Sequence, residues 1–397
     1  MWPYKFPGMP PIELEEQIDK LERRYRWVRP YTLLRFEVQV AEHCNIHCKD
    51  CDHYAPLAGE EFLDVAQYER DCARLSELFD SEVKFVHLLG GEPLLNPRLP
   101  EIIRITREAF RVGKIMVVTN GLLLPSMGDD FWNACRDCRV MLSPTQYPVK
   151  FDYDKWGEYA KERGVIWTPF SLGNVDKDTE VKRMHRALID PTGRYVVERN
   201  YYHCYAANAC LTLRNGRLFT CQRAAHAHHL KKYFDLDINL SKRDSVDIYE
   251  VKDAYELMEK VNRPIPFCKY CNLASCYYEE DWGASRSDRY EWIDFVWAPA
   301  DIQYLKEAPS VYVYGAGDMA RKAVGRIQEN GVAVSAVLLG DGDEAPGWAQ
   351  DVPVMSARAA EPEGGVCLLA VDNEEKTRAG RAVSRCGFKQ IIPLYVC

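Results

Sequence analysis

The chain has 397 residues, 47% hydrophobic and 12% aromatic, enough apolar material for two or three packed domains and too much for a disordered chain. Its net charge is −8 and its 51 basic residues are scattered, which argues against nucleic acid as a partner. There is no run of about 18 apolar residues, and Met1–Pro7 lacks an apolar signal core, so no membrane partner and a cytoplasmic location are expected.

Pro11–Arg29 reads as a charged amphipathic helix that stops before Pro30, giving a helical N-terminal segment 1–30. From residue 31 strands and helices alternate. Leu33–Val40 alternates in polarity and reads as a strand, Val65–Phe79 has helical spacing, and Val83–Leu89 is a short apolar run that fits a buried strand. Leu99–Phe110 follows as a helix, then a strand over Lys114–Thr119 and an Asn120-Gly121 turn. A helix over Asp129–Arg136, a strand over Arg139–Ser143, a helix over Trp156–Arg163 and a strand over Val165–Thr168 complete the series. Such alternation specifies an α/β fold built of parallel βα units, as an open sheet or a barrel.

From about 175 the alternation is lost. Leu211–Thr220 reads as a hairpin turning at Asn215-Gly216, and residues 290–306 as a helical link. A new βαβ-type module begins near 309. Its strands are expected at Ser310–Tyr314, Val332–Leu339, Val366–Val371 and 388–394, with helices over Arg321–Asn330 and 374–385.

The chemistry is concentrated in the cysteines. There are fifteen, too many for a reducing compartment unless some bind metal or do thiol chemistry. Cys135 and Cys138 form a CxxC with no second pair nearby, which reads first as buried thiols. Cys44, Cys48 and Cys51 fall directly after the first strand of the βα series, at the strand end where α/β folds place their sites. Three thiolates can hold a [4Fe–4S] cluster with one iron left open, or zinc completed by His43, His47 or His53. Spacing alone leaves both open.

The CxxxCxxC of Cys44–Cys51 resembles the signature of the radical S-adenosylmethionine (SAM) superfamily. Gly90-Gly91-Glu92-Pro93, just past the second strand, resembles its GGEP motif. The polar Thr119 and Asn120 after the third strand, and Ser143 ending the fourth, stand where the family meets SAM. One departure is Asp50, where the family often carries an aromatic residue beside the adenine. The resemblance covers about 31–170. It implies a partial (β/α)6 barrel over 31–200, a SAM-binding [4Fe–4S] cluster on Cys44, Cys48 and Cys51, and SAM itself. It further implies reductive cleavage of SAM to a 5′-deoxyadenosyl radical and an electron donor such as flavodoxin or ferredoxin.

Cys204, Cys210 and Cys221 bracket the predicted hairpin, and Cys268, Cys271 and Cys276 follow; as spacing this fits a four-thiolate zinc or iron–sulfur site. Eleven residues separate Cys204 from Gly216, and Gly216–Cys221 reads GxxxxC. This resembles the SPASM and Twitch auxiliary-cluster modules, Twitch more closely. The resemblance implies a cysteine-rich domain over 201–290 with a second, auxiliary [4Fe–4S] cluster on Cys204, Cys221, Cys268 and Cys271. Cys210 and Cys276 are left as alternates, hydrogen donors or buried thiols. Twitch enzymes include a dehydrogenase of a cyclitol alcohol. His226, His228 and His229 read as a loop cluster that is solvated or hydrogen-bonded.

The module over 308–397 opens with Gly315-Ala316-Gly317 and Ala320, and resembles small Rossmann-like domains; it reads first as a structural or protein–protein module, with Asp341 the candidate ribose ligand if it binds a nucleotide. Read together, the sequence predicts hydrogen abstraction from a C–H bond of a small molecule, a sugar or nucleotide-sugar, with net oxidation or epimerisation. Modification of a ribosomal peptide and a non-catalytic zinc scaffold are the alternatives. No general acid or base is assigned.

Overall fold

Residues 33–169, 181–207, 209–340, 342–343, 348 and 351–395 are described by the computed structural model. The helix expected over 11–29 and the candidate Asp341 lie outside them. The chain divides into two units. The first holds the described residues up to Lys182, with Tyr195–Lys269 and Trp282–Ser287; the second holds Arg183–Arg194, Tyr270–Asp281 and the chain from Asp288.

In the first unit, β1 (Arg35–Ala41), β2 (Phe85–Gly90), β3 (Lys114–Thr119), β4 (Met141–Pro144) and β5 (Ile166–Trp167) lie side by side and parallel, in chain order. The helices Val65–Leu78, Leu99–Ala109, Asp129–Asp137 and Tyr153–Glu162 separate them in the chain. The alternation of β1 explains how they dock. Phe36, Val38 and Val40 are fully buried in one core with Tyr68, Leu75, Ile102 and Trp132 of the helices. Burying each such side chain contributes about 1.5–3 kcal/mol. Cys72, Cys135 and Cys138 sit in this same core, so the 135–138 CxxC is a pair of packing thiols.

β6 (Arg183–His185) belongs to the second unit. The hairpin of β7 (Thr212–Arg214) and β8 (Arg217–Phe219) turns at Asn215 and Gly216, both with positive φ, as the sequence predicts. Gly216 N–H donates to the buried Asp71 carboxylate, which also accepts from Tyr249. This ties the turn to the helix Val65–Leu78.

Two expectations change here. β7 pairs parallel with β1, and β9 (Ser245–Asp247) extends β8, so one eight-stranded sheet runs β5-β4-β3-β2-β1-β7-β8-β9. The free edge of β1 needs backbone partners; Glu37 N–H donates to Leu211 O at 2.7 Å. Among the described residues the sheet therefore has five parallel βα strands plus the cysteine hairpin, where six βα strands are expected. The boundary expected at 201 lies in the helix Val197–His203, and the strands β5 and β7 on either side of it belong to one sheet.

In the second unit, β6 pairs antiparallel with β10 (Glu279–Asp281). β11 (Val311–Tyr314), β12 (Ala336–Leu339), β13 (Val354–Ser356), β14 (Val366–Leu369) and β15 (Gln390–Pro393) form a wholly parallel sheet in the order β13-β12-β11-β14-β15. The helices Asp318–Glu329 and Asn373–Arg385 belong to this unit. β13 was not predicted: Val354-Met355-Ser356 is a three-residue, mostly exposed edge without a pattern. The link over 290–306 is helical only as a turn at Arg289–Glu291 and a helix at Pro299–Glu307. Pro299 pre-sets the start of that helix.

Candidate functional site

β1 runs out into the loop that carries Cys44, Cys48 and Cys51. His47, Asp50 and Tyr54 take positive φ there, which coils the loop tightly. A strap over 282–287 pairs with it: Lys49 N–H donates to Gly283 O, and Ser285 N–H to His47 O. Burial pushes the Cys44 thiol up to about 12 and the Cys48 thiol up to about 11, and the neighbouring thiols add to it. Thiols held in this way remain protonated until a cation replaces their protons.

The GGE turn is built against this loop. A Cβ on Gly91 would meet His43 O at 2.0 Å and Cys44 N at 2.8 Å, and one on Gly90 would meet Ala41 O at 2.3 Å. Both positions need glycine because another backbone already occupies the space. Glu92 is fully buried and accepts from Leu94 N–H (3.0 Å), Asn120 N–H (2.8 Å) and the Thr119 hydroxyl (2.5 Å). Burial pushes its carboxyl up to about 7. Pro93 follows at the start of a 3-10 turn. Thr119 and Asn120 thus join the ends of β2 and β3, and Asn120 also reaches Asn45 Oδ1 at 2.6 Å and Cys44 Sγ at 3.9 Å. Glu92→Gln turns an amide N–H toward the Asn120 N–H. The melting free energy is expected to fall by about 1–3 kcal/mol, read by denaturant titration.

Ser143, at the end of β4, is buried, and its hydroxyl has no hydrogen-bond partner among the described residues. A buried polar atom with nothing to bond to is unusual in protein alone and suits a polar ligand. Beside the loop, Trp282 N–H donates to Cys48 Sγ at 3.1 Å, and Tyr147 packs edge-on against Trp282. Lys182 lies over the Tyr147 ring, its ammonium lowered to about 8 by burial. Donors to sulfur are among the features that set a cluster's potential. The sequence signalled neither Tyr147 nor Trp282, since each is remote from the cysteines in the chain.

The second face of β1 was also missed. Glu37 and Gln39 on β1, and His87 on β2, are buried polar residues on the face opposite the apolar core. Glu42 follows at the end of β1. His226 and His229 reach it from the helix Gln222–Phe234, and Arg214 from β7. The loop expected around these histidines is therefore a helix, and His226 and His229 are only 1% and 5% exposed. Helix packing overrides the weak amphipathic pattern of Gln222–Phe234, whose residues are buried on most sides. Burial opposes ionisation of Glu42, but hydrogen bonds from His226 and His229, with Arg214, outweigh it and hold its carboxyl far below the usual range. Burial also lowers His226 to about 4.

The later cysteines divide. Cys204, Cys221 and Cys268 belong to the first unit, whereas Cys271 belongs to the second. Cys204 ends the helix Val197–His203 and Cys221 begins the helix Gln222–Phe234. Burial pushes Cys221 up to about 12 and Cys268 up to about 11, and each thiol feels Cys204. Cys210 is held separately, 3.2 Å from the Arg35 guanidinium. Cys276 lies in the second unit. Among the described residues, neither cysteine set brings three ligand atoms mutually within 4.8 Å. Tetrahedral zinc thiolates stand about 3.8 Å apart.

In the second unit, Gly315 ends β11 with φ 113°, and a Cβ there would meet Ala370 O at 2.8 Å. Gly317 precedes the helix Asp318–Glu329 and opens onto free space.

The family model described as the radical SAM superfamily matches residues 38–156. Similar curated proteins are GTP 3′,8-cyclases. That of Tolumonas auensis is 31% identical over 135 residues, 34% of this chain and 36% of its own length. That of Chlorobaculum tepidum is 33% identical over 88 residues, 22% and 26% respectively. The chain thus spans about a third of the curated relatives it matches. Among solved structures, BtrN in complex with AdoMet and 2-DOIA aligns over 65% of this chain and 97% of its own, at 15% identity and TM-score 0.37. SuiB of Streptococcus suis aligns over 39% and 36%, at 17% identity and TM-score 0.28. At those scores the structural likenesses add no argument. The superfamily implies a [4Fe–4S] cluster and SAM, and the buried Cys48, the half-buried Cys44 and Cys51, the glycine turn and the Ser143 hydroxyl fit them. Residues 38–156 are thus similar to the radical SAM superfamily.

Proposed function

We propose that this chain cleaves SAM reductively and removes a hydrogen atom from a C–H bond of a polar small molecule, a sugar or nucleotide-linked sugar, with net oxidation or epimerisation. The single observation that carries the first half is that the Gly90–Glu92 turn and Asn120, past the ends of β2 and β3, lie against the loop that carries Cys44, Cys48 and Cys51, with Ser143 on the neighbouring β4. When bound, the cluster and SAM supply the one-electron chemistry. The protein's own residues do the positioning. Glu92 fixes Thr119 and Asn120, Gly91 lets the turn lie on the cysteine loop, and Trp282 and Tyr147 close over Cys48.

The polar substrate class rests on the buried Glu37, Gln39, Glu42 and His87. A parallel sheet packed on both faces carries apolar residues on both; a polar second face suits a hydroxyl-rich ligand. The relatives' names include GTP, but the matches cover only 36% and 26% of those two proteins, so that substrate is not carried over. Cys204, Cys221, Cys268 and Cys271 are read as ligands of an auxiliary [4Fe–4S] cluster, and a flavodoxin- or ferredoxin-type protein as the electron donor. The β13-β12-β11-β14-β15 order supports a Rossmann-like reading of the C-terminal sheet.

Anaerobic reconstitution tests this reading. About eight irons per chain, two four-iron clusters, and release of 5′-deoxyadenosine with dithionite are expected. With a C-deuterated substrate, deuterium should appear in the 5′-deoxyadenosine. Zinc in place of iron and no SAM cleavage would overturn the proposal.

A further inference from the structure

We infer that Glu42, His226 and His229 bind one divalent transition-metal ion, at a site separate from both cysteine sets. Among the described residues this is the only group of three or more His, Cys, Asp or Glu whose ligand atoms all lie within 4.8 Å of one another. Glu42 Oε2 lies 3.2 Å from His226 Nδ1 and 2.7 Å from His229 Nε2. Neighbouring ligands on an ion with bonds of about 2.1 Å stand roughly 3 Å apart. The observed spacings therefore need only small adjustments to admit an ion.

The site is built on rigid elements. His226 and His229 are three residues apart on one helix and so share a face. Glu42 lies one residue beyond β1, and all three side chains are buried. Around them, Gln39 Nε2 donates to Glu42 Oε2 at 2.9 Å, and Arg214 approaches the other carboxylate oxygen, Oε1, at 3.6 Å. Outer contacts of this kind orient a metal-ligating carboxylate. His226 Nε2 has no partner among the described residues. It is left to bond a water or another polar group on the side of the ring away from the ion.

Two imidazoles and one carboxylate are the donor set of mononuclear iron, manganese and zinc centres with open positions. The Arg214 guanidinium offsets the single carboxylate charge. The set therefore favours ions that bond strongly to imidazole over Mg²⁺ or Ca²⁺, which rely on several anionic oxygens.

The test uses the full chain with its clusters reconstituted and oxidised, titrated anaerobically with Mn²⁺ alone. The six-line EPR signal of free Mn²⁺ reports uptake, and zinc already present is counted by plasma emission on the same sample. Zinc plus bound manganese is expected to total about one per chain. His229→Gln and the near-isosteric Glu42→Gln should each weaken uptake by roughly 100-fold while iron content is unchanged. Replacing Cys44, Cys48 and Cys51 by alanine should leave uptake intact, which separates this site from the SAM-cleavage reading. No stoichiometric uptake, or uptake unchanged in both Glu42→Gln and His229→Gln, would mean a hydrogen-bonded network without an ion and would overturn the inference.

Discussion

Replacing Cys44, Cys48 and Cys51 together by alanine is expected to remove about four irons per chain and to lower 5′-deoxyadenosine formation by more than about 1,000-fold. The three thiols are the proposed ligands and lie on one coiled loop. Of the histidines near in sequence, His53 contacts both Asp52, at 3.3 Å, and Cys51, so it alone cannot make up for three lost thiols, and His43 packs against Phe62. The fold should survive, because the main core is made by the strand–helix layer and excludes these cysteines. A melting curve within a few degrees of wild type would establish that. The iron lost should be that of the first cluster alone, so Cys204→Ala with Cys268→Ala should remove a different four. Continued formation of 5′-deoxyadenosine in the triple variant would refute the assignment.

The second large effect is expected from one methyl group. In Gly91→Ala the new Cβ would fall 2.0 Å from His43 O and 2.3 Å from its carbonyl carbon. These are backbone atoms, so no side chain can swing aside. Either the turn or the cysteine loop must shift. Forced overpacking costs about 1–3 kcal/mol, more where backbone must move. Because the displaced atoms precede Cys44, the cost should appear as lost cluster before it appears as lost fold. Iron retained after gel filtration should drop severalfold, with a similar loss in SAM cleavage. Gly59→Ala is the control, since a Cβ there meets nothing within 4 Å. Equal iron content in Gly91→Ala and Gly59→Ala would show that the close packing of turn and loop does not hold the cluster.

How much of this was legible in the chain follows from the range of each signal. The βα alternation, the Asn215-Gly216 hairpin turn and the cysteine loop after β1 are local patterns, set by side-chain periodicity and by which residues tolerate positive φ. Sequence alone therefore indicated the α/β class, the strand-end position of Cys44 to Cys51 and most strands of the C-terminal sheet. The resemblance of Gly90-Gly91-Glu92-Pro93 pointed to the SAM cradle, but the reason for the glycines, a neighbouring backbone 2.0–2.3 Å from where a Cβ would stand, exists only in three dimensions.

What the tertiary structure alone decided depends on contacts between distant segments. That β7 fills the edge of β1 follows from an unpaired row of backbone groups, which no local pattern encodes. That His226 and His229 are helical and buried against Glu42 required a helix and a strand end, 184 and 187 residues apart, to meet. The one local trace of that meeting was the alternation of Glu37 and Gln39 with Phe36, Val38 and Val40. Periodicity shows that a strand has two different faces. Only packing shows that the polar face is also buried, because burial is a property of what lies opposite and not of the strand itself.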